Sequence, residues 1–362
     1  MNSTKERIIQ EYLDNKELYN RLSGSIMQII ESLLKKEKIK YASISTRIKD
    51  EASLAEKIAR KDGKYKTLSD ITDIAGIRII TYYADDVDKV AKLLEQEFDV
   101  DWDNSIDKRK SLKPNVFGYL SLHYIIQFDG KRIQLPEYDD LHGMKAEVQI
   151  RSILQHAWAE MEHDIGYKSK VGVPEEVIRD FSRLAGLLEI ADKEFMEIRS
   201  KIEAYRVEVE QKLQTNQGEE DIKLDEVSIE ALLKSDKEFI DFTNAFEQNT
   251  GIPIDRTSNT IGSRISELKW FGIDTVKALR ELLKRESVLA LKLAEGNLQK
   301  GKNDSLANTI GIYYLCFAKL VREYTRDECV KYMWDNHIGF EDEKDEFVDK
   351  LMGIYDDVKE KV

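Results

Sequence analysis

The feature that most constrains the fold is a nearly unbroken apolar run at residues 74–83, with the sequence IAGIRIITYY. A run of this kind is typical of a central strand covered on both faces, which requires a sheet flanked by helices. Further strands are predicted by the patterns at residues 41–48, 100–102, 120–128 and 144–151. Helices are predicted at residues 1–37, 51–61, 85–98, from 152 onward and at 175–213. The first part of the chain is therefore predicted to be an α/β (α+β) domain with a mixed sheet.

The second part of the chain is helical in pattern almost throughout. Residues 214–221 are polar and contain a glycine, which makes them the best candidate for a linker. We therefore predict an α/β domain at 1–213, with its core at 38–170, and an acidic, all-α domain of unknown role at 222–362. Helices are predicted in it at residues 228–235, 236–248, 261–270, 274–296, 305–334 (with a break) and 343–362.

Composition limits the class of protein. The 362 residues are 41% hydrophobic and 35% charged, as in a water-soluble globular chain. No apolar run approaches the roughly 18 residues of a membrane helix, and the charged N-terminal segment is unlike a signal peptide. Two cysteines without a CxxC pair indicate neither a disulfide framework nor a structural zinc site. These observations predict a cytoplasmic protein with no membrane contact.

Charge is unevenly distributed between the two parts. Residues 1–206 contain 34 Lys and Arg against 37 Asp and Glu, whereas residues 207–362 contain 22 against 32. A cation-rich but nearly neutral first part suits a site for anionic ligands held together with metal. The acidic second part argues against a long nucleic-acid footprint there, because phosphate binding requires cations.

Two carboxylates are placed to bind a metal ion. Asp73 precedes the central strand, and Glu147 begins the alternating segment Glu147–Arg151. Because side chains alternate along a strand, Glu147, Gln149 and Arg151 project from the same side. Carboxylates in one sheet can hold Mg²⁺ with positions left for phosphate oxygens. The alternative is two unrelated charges at strand ends.

Cations accompany these carboxylates. Arg47 and Lys49 lie on one face of the first strand, and Lys57 follows Ser53 by one turn of the next helix. Three cations and a hydroxyl in this arrangement can clamp a triphosphate. The guanidinium of Arg78, inside the apolar run, can stack on an adenine ring or pair with a carboxylate in an ordinary salt bridge.

A third group lies in residues 113–123, with the sequence KPNVFGYLSLH. Lys113 supplies a cation, Gly118 permits a sharp turn, and Tyr119 can offer its ring face to a base. His123 either hydrogen-bonds phosphate or satisfies a neighbouring side chain. On the helix at 155–164, two histidines and a glutamate loosely resemble zinc spacing, but a polar layer packed against the Glu147 strand is favoured.

Four ordered segments resemble the RelA/SpoT synthetase domain, the (p)ppGpp synthetase family. They are RIKDEASLAEKI, DITDIAGIRII, KPNVFGYLSLHYII and AEVQIRSILQHAWAEMEHDIGYKS. The resemblance covers about residues 38–170. It implies a nucleotidyltransferase-like fold and transfer of the β,γ-pyrophosphate of ATP to the 3′-hydroxyl of GDP or GTP, releasing AMP. It also implies a synthetase-only enzyme, dependent on Mg²⁺, that is expected to form a homo-oligomer.

The resemblance assigns roles by matched position. Arg47 and Arg78 match the arginines that sandwich the adenine of ATP, and Lys49, Ser53 and Lys57 match the groups around its phosphates. Asp73 and Glu147 match the magnesium carboxylates, with Glu147 also the base for the 3′-hydroxyl. On the acceptor side, Tyr119 matches the ring that stacks on guanine, and Lys113 and His123 match phosphate contacts. Gln149 and Arg151 complete the acceptor strand.

The chain departs from the family pattern KxNGYxSxH by two extra residues, Val116 and Phe117, before Gly118 and Tyr119. The resulting FGYxSxH pattern also resembles toxic members of the superfamily, some of which modify the 3′ CCA end of tRNA and others of which make adenosine alarmones. A third alternative is an inactive domain that senses nucleotides. The resemblance thus implies ATP as donor and leaves GDP, GTP, ATP or tRNA as acceptor.

Overall fold

The computed structural model describes residues 2–61, 63–111, 121–168, 174–215, 222–257, 260–298 and 304–360. The chain divides into two compact units, Met1–Ser200 and Lys201–Val362. This division falls inside one continuous helix, Glu175–Thr215. The first two residues of the linker predicted at 214–221 belong to this helix, and residues 216–221 lie outside the described part of the chain.

The first unit alternates strands and helices. Its helices are α1 (Asn2–Lys36), α2 (Glu51–Arg60), α3 (Ala84–Glu97), α4 (Lys108–Ser111), α5 (Ile153–Lys168) and the first part of α6 (Glu175–Thr215). Its strands are β1 (Tyr41–Ile48), β2 (Ala75–Thr81), β3 (Phe98–Val100), β4 (Ile106–Asp107), β5 (Leu122–Phe128) and β6 (Ala146–Ser152). The strand predicted at 100–102 lies at Phe98–Val100 instead. It ends before Asp101 because that residue accepts hydrogen bonds from Asn104 and starts a turn.

The six strands form one mixed sheet in the order β1-β2-β6-β5-β3, with β4 also paired to β5. Strands β2 and β6 run parallel, and the other pairs are antiparallel. The apolar run therefore forms an inner strand, as predicted, but it is not covered on both faces along its whole length, because Gly76 and Arg78 are only half-buried. The predicted mixed sheet flanked by helices is confirmed.

One face of the sheet is covered by α1 and α3. Along α1, apolar side chains recur at helical spacing and are fully buried, among them Ile8, Tyr12, Leu22 and Ile26. The hydroxyl of Tyr12 donates to the carbonyl oxygen of Lys49 over 2.6 Å. This bond ties the helix to the chain just past the end of β1.

The opposite face of the sheet carries the polar residues. In β2 and β6, buried apolar residues alternate with half-buried Gly76, Arg78, Glu147 and Gln149. Because alternate residues point to opposite faces, the alternation that builds the core also gathers the polar side chains on one surface. This is the face on which the candidate site lies.

The second unit is helical, as predicted. Its helices are the end of α6, α7 (Glu226–Ser235), α8 (Lys237–Thr250), α9 (Ile261–Trp270), α10 (Val276–Asn297), α11 (Ile310–Glu323), α12 (Arg326–Asp335) and α13 (Lys344–Val358). The short strands β7 (Ile254–Asp255) and β8 (Leu306–Ala307) pair in parallel. The helix predicted at 305–334 is interrupted because Thr325 and Glu328 form a capping box that starts α12. Among the described residues, no helix has the length and apolar content needed to cross a membrane.

Candidate active site

The register of the sheet aligns the predicted site residues in two rows across the open face. In one row Arg47 lies opposite Gly76, and Gly76 lies opposite Glu147. In the other row the aligned residues are Ser45, Arg78, Gln149 and His123. Directly opposite residues in a sheet have Cβ atoms about 5 Å apart. Side chains from four strands therefore converge although their positions span about 100 residues of the chain.

These rows border a cavity of about 270 Å³. Its lining residues are Ser45, Arg47, Lys49, Asp73, Gly76, Ile77, Arg78, Glu147 and Gln149. The structure thus places six of the sequence-predicted residues on the wall of a single cavity. Both carboxylates and cations line it, which is what binding a polyanion together with a cation requires.

Asp73 is held by two lysines. Its Oδ2 lies 2.6 Å from Nζ of Lys57 and 3.2 Å from Nζ of Lys49. Burial acts to raise the pKa of Asp73, but the two ammonium groups outweigh it and hold the pKa below its ordinary value. The other oxygen, Oδ1, is buried without a hydrogen-bond partner among the described residues. Asp73 therefore presents an ionised carboxylate with one oxygen available to a ligand.

Glu147 is held by a histidine and an amide. Its Oε1 lies 2.9 Å from Nδ1 of His123, and its Oε2 accepts from Nε2 of Gln149 over 3.0 Å. Nε2 of His123 lies 2.6 Å from Oγ of Ser121. Burial raises the pKa of Glu147 and Asp73 raises it further, yet the bonds from His123 and Gln149 prevail, so the pKa lies below its ordinary value. Glu147 is thus an oriented, ionised carboxylate.

The chain of polar contacts continues to the buried Arg151, whose guanidinium donates to Oε1 of Gln149 over 2.8 Å. Lys108 approaches the same region from the end of β4, where its backbone N–H donates to the carbonyl oxygen of Ser121 over 3.0 Å. Burial lowers the pKa of Lys108, the charge of Arg151 lowers it further, and Glu147 acts in the opposite direction. The β5 side of the site is therefore also cationic.

Arg78 reaches from the sheet to helix α5. Its NH1 lies 3.0 Å from Oε1 of Glu160, and Nδ1 of His156 lies 3.6 Å from the same oxygen. Among the described residues, no group of three His, Cys, Asp or Glu side chains is arranged to hold a metal ion.

Ser53 sits in the first turn of α2, where its hydroxyl donates to Oδ2 of Asp50 over 2.7 Å and its backbone N–H donates to Oδ1. It contributes to the helix cap and is not on the cavity wall. Lys113 and Tyr119 lie outside the described residues, so their assignment stays a prediction.

The sequence reasoning missed three residues of the wall, Ser45, Gly76 and Ile77. Ser45 and Gly76 could have been found from alternation, because Ser45 lies two residues from Arg47 and Gly76 two residues from Arg78. They carry no charge, which is why they attract no notice in a search for ionisable groups. Gly76 leaves the row between Arg47 and Glu147 without a side chain.

Two carboxylates and a cluster of cations on the open face of a mixed sheet define a protein suited to polyphosphate ligands. Residues 46–172 match the family model for the region found in RelA/SpoT proteins. GTP pyrophosphokinase YwaC of Bacillus subtilis (strain 168) is 32% identical over 161 residues, which cover 44% of this chain and 73% of that protein. The chain belongs to the RelA/SpoT family of GTP pyrophosphokinases.

A second relative and a solved structure are also similar to this chain. GTP pyrophosphokinase YjbM of Bacillus subtilis (strain 168) is 28% identical over 163 residues, covering 44% of this chain and 72% of that protein. The crystal structure of small alarmone synthetase 2 from Bacillus subtilis is 27% identical, with a TM-score of 0.42, covering 51% of this chain and 96% of that one.

Proposed function

We propose that this protein transfers the β,γ-pyrophosphate of ATP to the 3′-hydroxyl of GDP or GTP, making (p)ppGpp and releasing AMP. The observation that carries the proposal is the placement of Asp73 and Glu147 on one cavity wall with Arg47, Lys49 and Arg78. The names of the relatives YwaC and YjbM, both GTP pyrophosphokinases, support the reaction class.

The donor nucleotide is assigned to the β1 and β2 side. Arg47 and Arg78 offer flat guanidinium groups that can stack on adenine. Lys49 and Lys57 already neutralise Asp73, and they can turn towards phosphate oxygens once a bound cation takes over that carboxylate. Donor binding would then exchange one set of ion pairs for another, which limits the cost of burying the triphosphate charge.

The residues fit a magnesium ion. Asp73 would hold it through the buried Oδ1, which has no hydrogen-bond partner among the described residues, and Glu147 would supply the second carboxylate. Mg²⁺ prefers oxygen ligands and is commonly bound by one or two carboxylates plus substrate phosphates. When bound, the ion would neutralise charge on the transferred phosphates.

Glu147 is proposed to take the proton of the attacking hydroxyl. The 3′-oxygen of the acceptor forms a bond to the β-phosphorus of ATP, the bond from that phosphorus to the α,β-bridging oxygen breaks, and the bridging oxygen leaves with AMP. The hydroxyl proton passes to Glu147, whose lowered pKa keeps it ionised at neutral pH. His123 and Gln149 fix the direction of the receiving oxygens, so catalysis rests mainly on placement.

Label transfer tests the proposal directly. The pure protein is incubated with Mg²⁺ and γ-labelled ATP, and GDP, GTP, ATP or uncharged tRNA is offered in turn. We expect label in the guanosine acceptor and an equal amount of AMP. Label in tRNA or in an adenosine product would show that the acceptor is different but the reaction is the one proposed. ATP binding without release of AMP for any acceptor would mean that the protein is a nucleotide sensor instead. Tyr119→Ala serves as the acceptor variant and should weaken acceptor use more than ATP binding.

A further inference from the structure

The carboxylate that pairs with Arg78 comes from helix α5 and not from a strand of the sheet. Oε1 of Glu160 lies 3.0 Å from NH1 of Arg78. Arg78 is in the middle of β2, between Ser45 of β1 and Gln149 of β6 in the register, and it lines the cavity. Neither Ser45 nor Gln149 carries a charge, so Glu160 is the charged group that meets this guanidinium from the packed helix.

The exposure of the pair excludes a large contribution to stability. The side chain of Arg78 is 35% exposed and that of Glu160 is 53% exposed. Ion pairs as open to water as this one contribute little to the free energy of unfolding, because solvent screens them. The main effect of the contact is therefore on the orientation of the guanidinium.

Orientation matters for this side chain because a free arginine has many rotamers. Fixing one of these rotamers costs side-chain entropy. A carboxylate that hydrogen-bonds the edge of the guanidinium restricts the side chain before a ligand binds, so binding itself loses less side-chain entropy. The contact at the edge leaves the flat face uncovered. Stacking on a purine uses the face, whereas hydrogen bonding uses the edge, so the two contacts are compatible.

The surroundings of Glu160 keep its charge directed at Arg78. His156, one helical turn earlier, lies 3.6 Å from the same oxygen, which is beyond hydrogen-bond distance. Burial lowers the pKa of His156; the charge of Glu160 acts in the opposite direction, but Arg78 and Arg151 lower it further, so the pKa lies below its ordinary value. The imidazole is therefore neutral at pH 7 and does not compete with Arg78 for the carboxylate.

We propose that Glu160 is a positioning residue for the donor nucleotide: its carboxylate holds the edge of the Arg78 guanidinium so that the flat face is presented to the purine base of ATP. The proposal rests on the proposed function, since it assigns ATP to the Arg78 side of the cavity. It adds to the site a residue outside the sheet, at the point where α5 passes the central strand.

The test combines binding with turnover in Glu160→Gln, Glu160→Ala and the matched control Glu176→Gln, which alters an exposed glutamate at the start of α6. We expect Glu160→Ala to raise KM for ATP about tenfold, with kcat and the acceptor KM within about twofold of wild type. Kd for a non-hydrolysable ATP analogue, measured by calorimetry, should rise in parallel. The control should match wild type, and thermal melts should be unchanged in all three variants.

A double-mutant cycle distinguishes positioning from a separate contact. If Glu160 acts through Arg78, then adding Glu160→Ala to Arg78→Ala produces no further rise in KM or Kd. An unchanged Kd in Glu160→Ala, or an equal further rise in the Arg78→Ala background, overturns the inference. Absence of transfer by the wild-type protein would overturn the proposed function instead, and the Kd series would still decide the role of Glu160.

Discussion

Nδ1 of His123 lies 2.9 Å from Oε1 of Glu147, so the imidazole and the carboxylate form one hydrogen-bonded unit on adjacent strands. An ionised carboxylate can only accept hydrogen bonds, which places the imidazole proton on Nδ1. The same histidine is fixed from its other side by Ser121. The pKa and the orientation of Glu147 therefore depend on His123, a residue predicted from the sequence to contact phosphate.

His123→Ala is expected to lower turnover at least tenfold and to shift its pH dependence. His123 is the strongest influence that lowers the pKa of Glu147 against the opposing effect of burial. Removing it raises that pKa, so the acidic limb of the kcat profile should move to higher pH. A pH–rate profile of the transfer reaction measures the shift. A profile that keeps its acidic limb in place would show that Glu147 is not the group being titrated.

Asp73→Asn and Glu147→Gln are each expected to abolish measurable transfer, a loss of at least about a hundredfold. Both changes remove a charge but keep the shape of the side chain, so the circular dichroism spectrum should be retained. In Asp73→Asn the ammonium groups of Lys49 and Lys57 lose their carboxylate, and a modest fall in Tm is expected. Wild-type turnover in both variants would contradict the assignment of the metal site.

Gly76→Ala is expected to raise KM for ATP about tenfold without lowering stability. A Cβ at this position would meet only the carbonyl oxygen of Arg47, at an ordinary contact distance of 3.5 Å, so the protein itself accommodates it. The added methyl group instead occupies the cavity between Arg47 and Glu147. Steady-state kinetics and a thermal melt measure the two effects.

Gly24→Ala is the matched control for that substitution, because a Cβ there meets nothing within 4 Å and the residue lies in α1, away from the cavity. Alanine in place of glycine within a helix stabilises by up to about 1 kcal/mol. The control should therefore raise Tm slightly and leave KM unchanged. Equal KM in the two alanine variants would mean that ligand does not approach Gly76.

The helical unit should lose stability as pH rises. Glu267 is 1% exposed, and burial raises its pKa from an ordinary 4.5 to about 7 although Arg264 lies 2.6 Å away. Between those two pH values the folded state binds more protons than the unfolded state, so the free energy of unfolding falls as pH increases. The fall is on the order of 3 kcal/mol.

Glu267→Gln should remove most of this dependence, since glutamine does not titrate. Urea denaturation of the full chain at pH 5 and pH 8, followed by circular dichroism, compares the variant with wild type and with Glu281→Gln, an exposed control on α10. The variant is expected to be more stable than wild type at pH 8 only. An identical slope with pH in all three proteins would rule Glu267 out as the titrating group.

Alternation along the strands predicts much of the site. The common side of Glu147, Gln149 and Arg151 follows from the two-residue period, and the structure joins them by hydrogen bonds. The central position of residues 74–83 follows from their unbroken apolar character. Both features could be predicted because the spacing of charged and apolar residues along a short segment can be seen in a single sequence.

Contacts between distant segments could not be predicted in the same way. The partner of Arg78 is 82 residues away on α5, and nothing in the spacing of either segment specifies it.

The position of Ser53 beside Asp50 is a capping arrangement that sequence reasoning could have found, because Ser and Asp favour helix starts. The break before Arg326 likewise follows from the box formed by Thr325 and Glu328.

Strand β1 lies at the end of the sheet order and, among the described residues, pairs only with β2. Its outer backbone N–H and C=O groups are a template on which another extended chain could add, and charged side chains on such a strand discourage that addition. Arg47, within β1, and Lys49, just past its end, are therefore expected to limit self-association as well as to line the cavity. Replacing both residues with neutral ones to disable the donor side would leave the edge strand open to the addition of another strand. Inactive variants are therefore better made at Asp73 or Glu147.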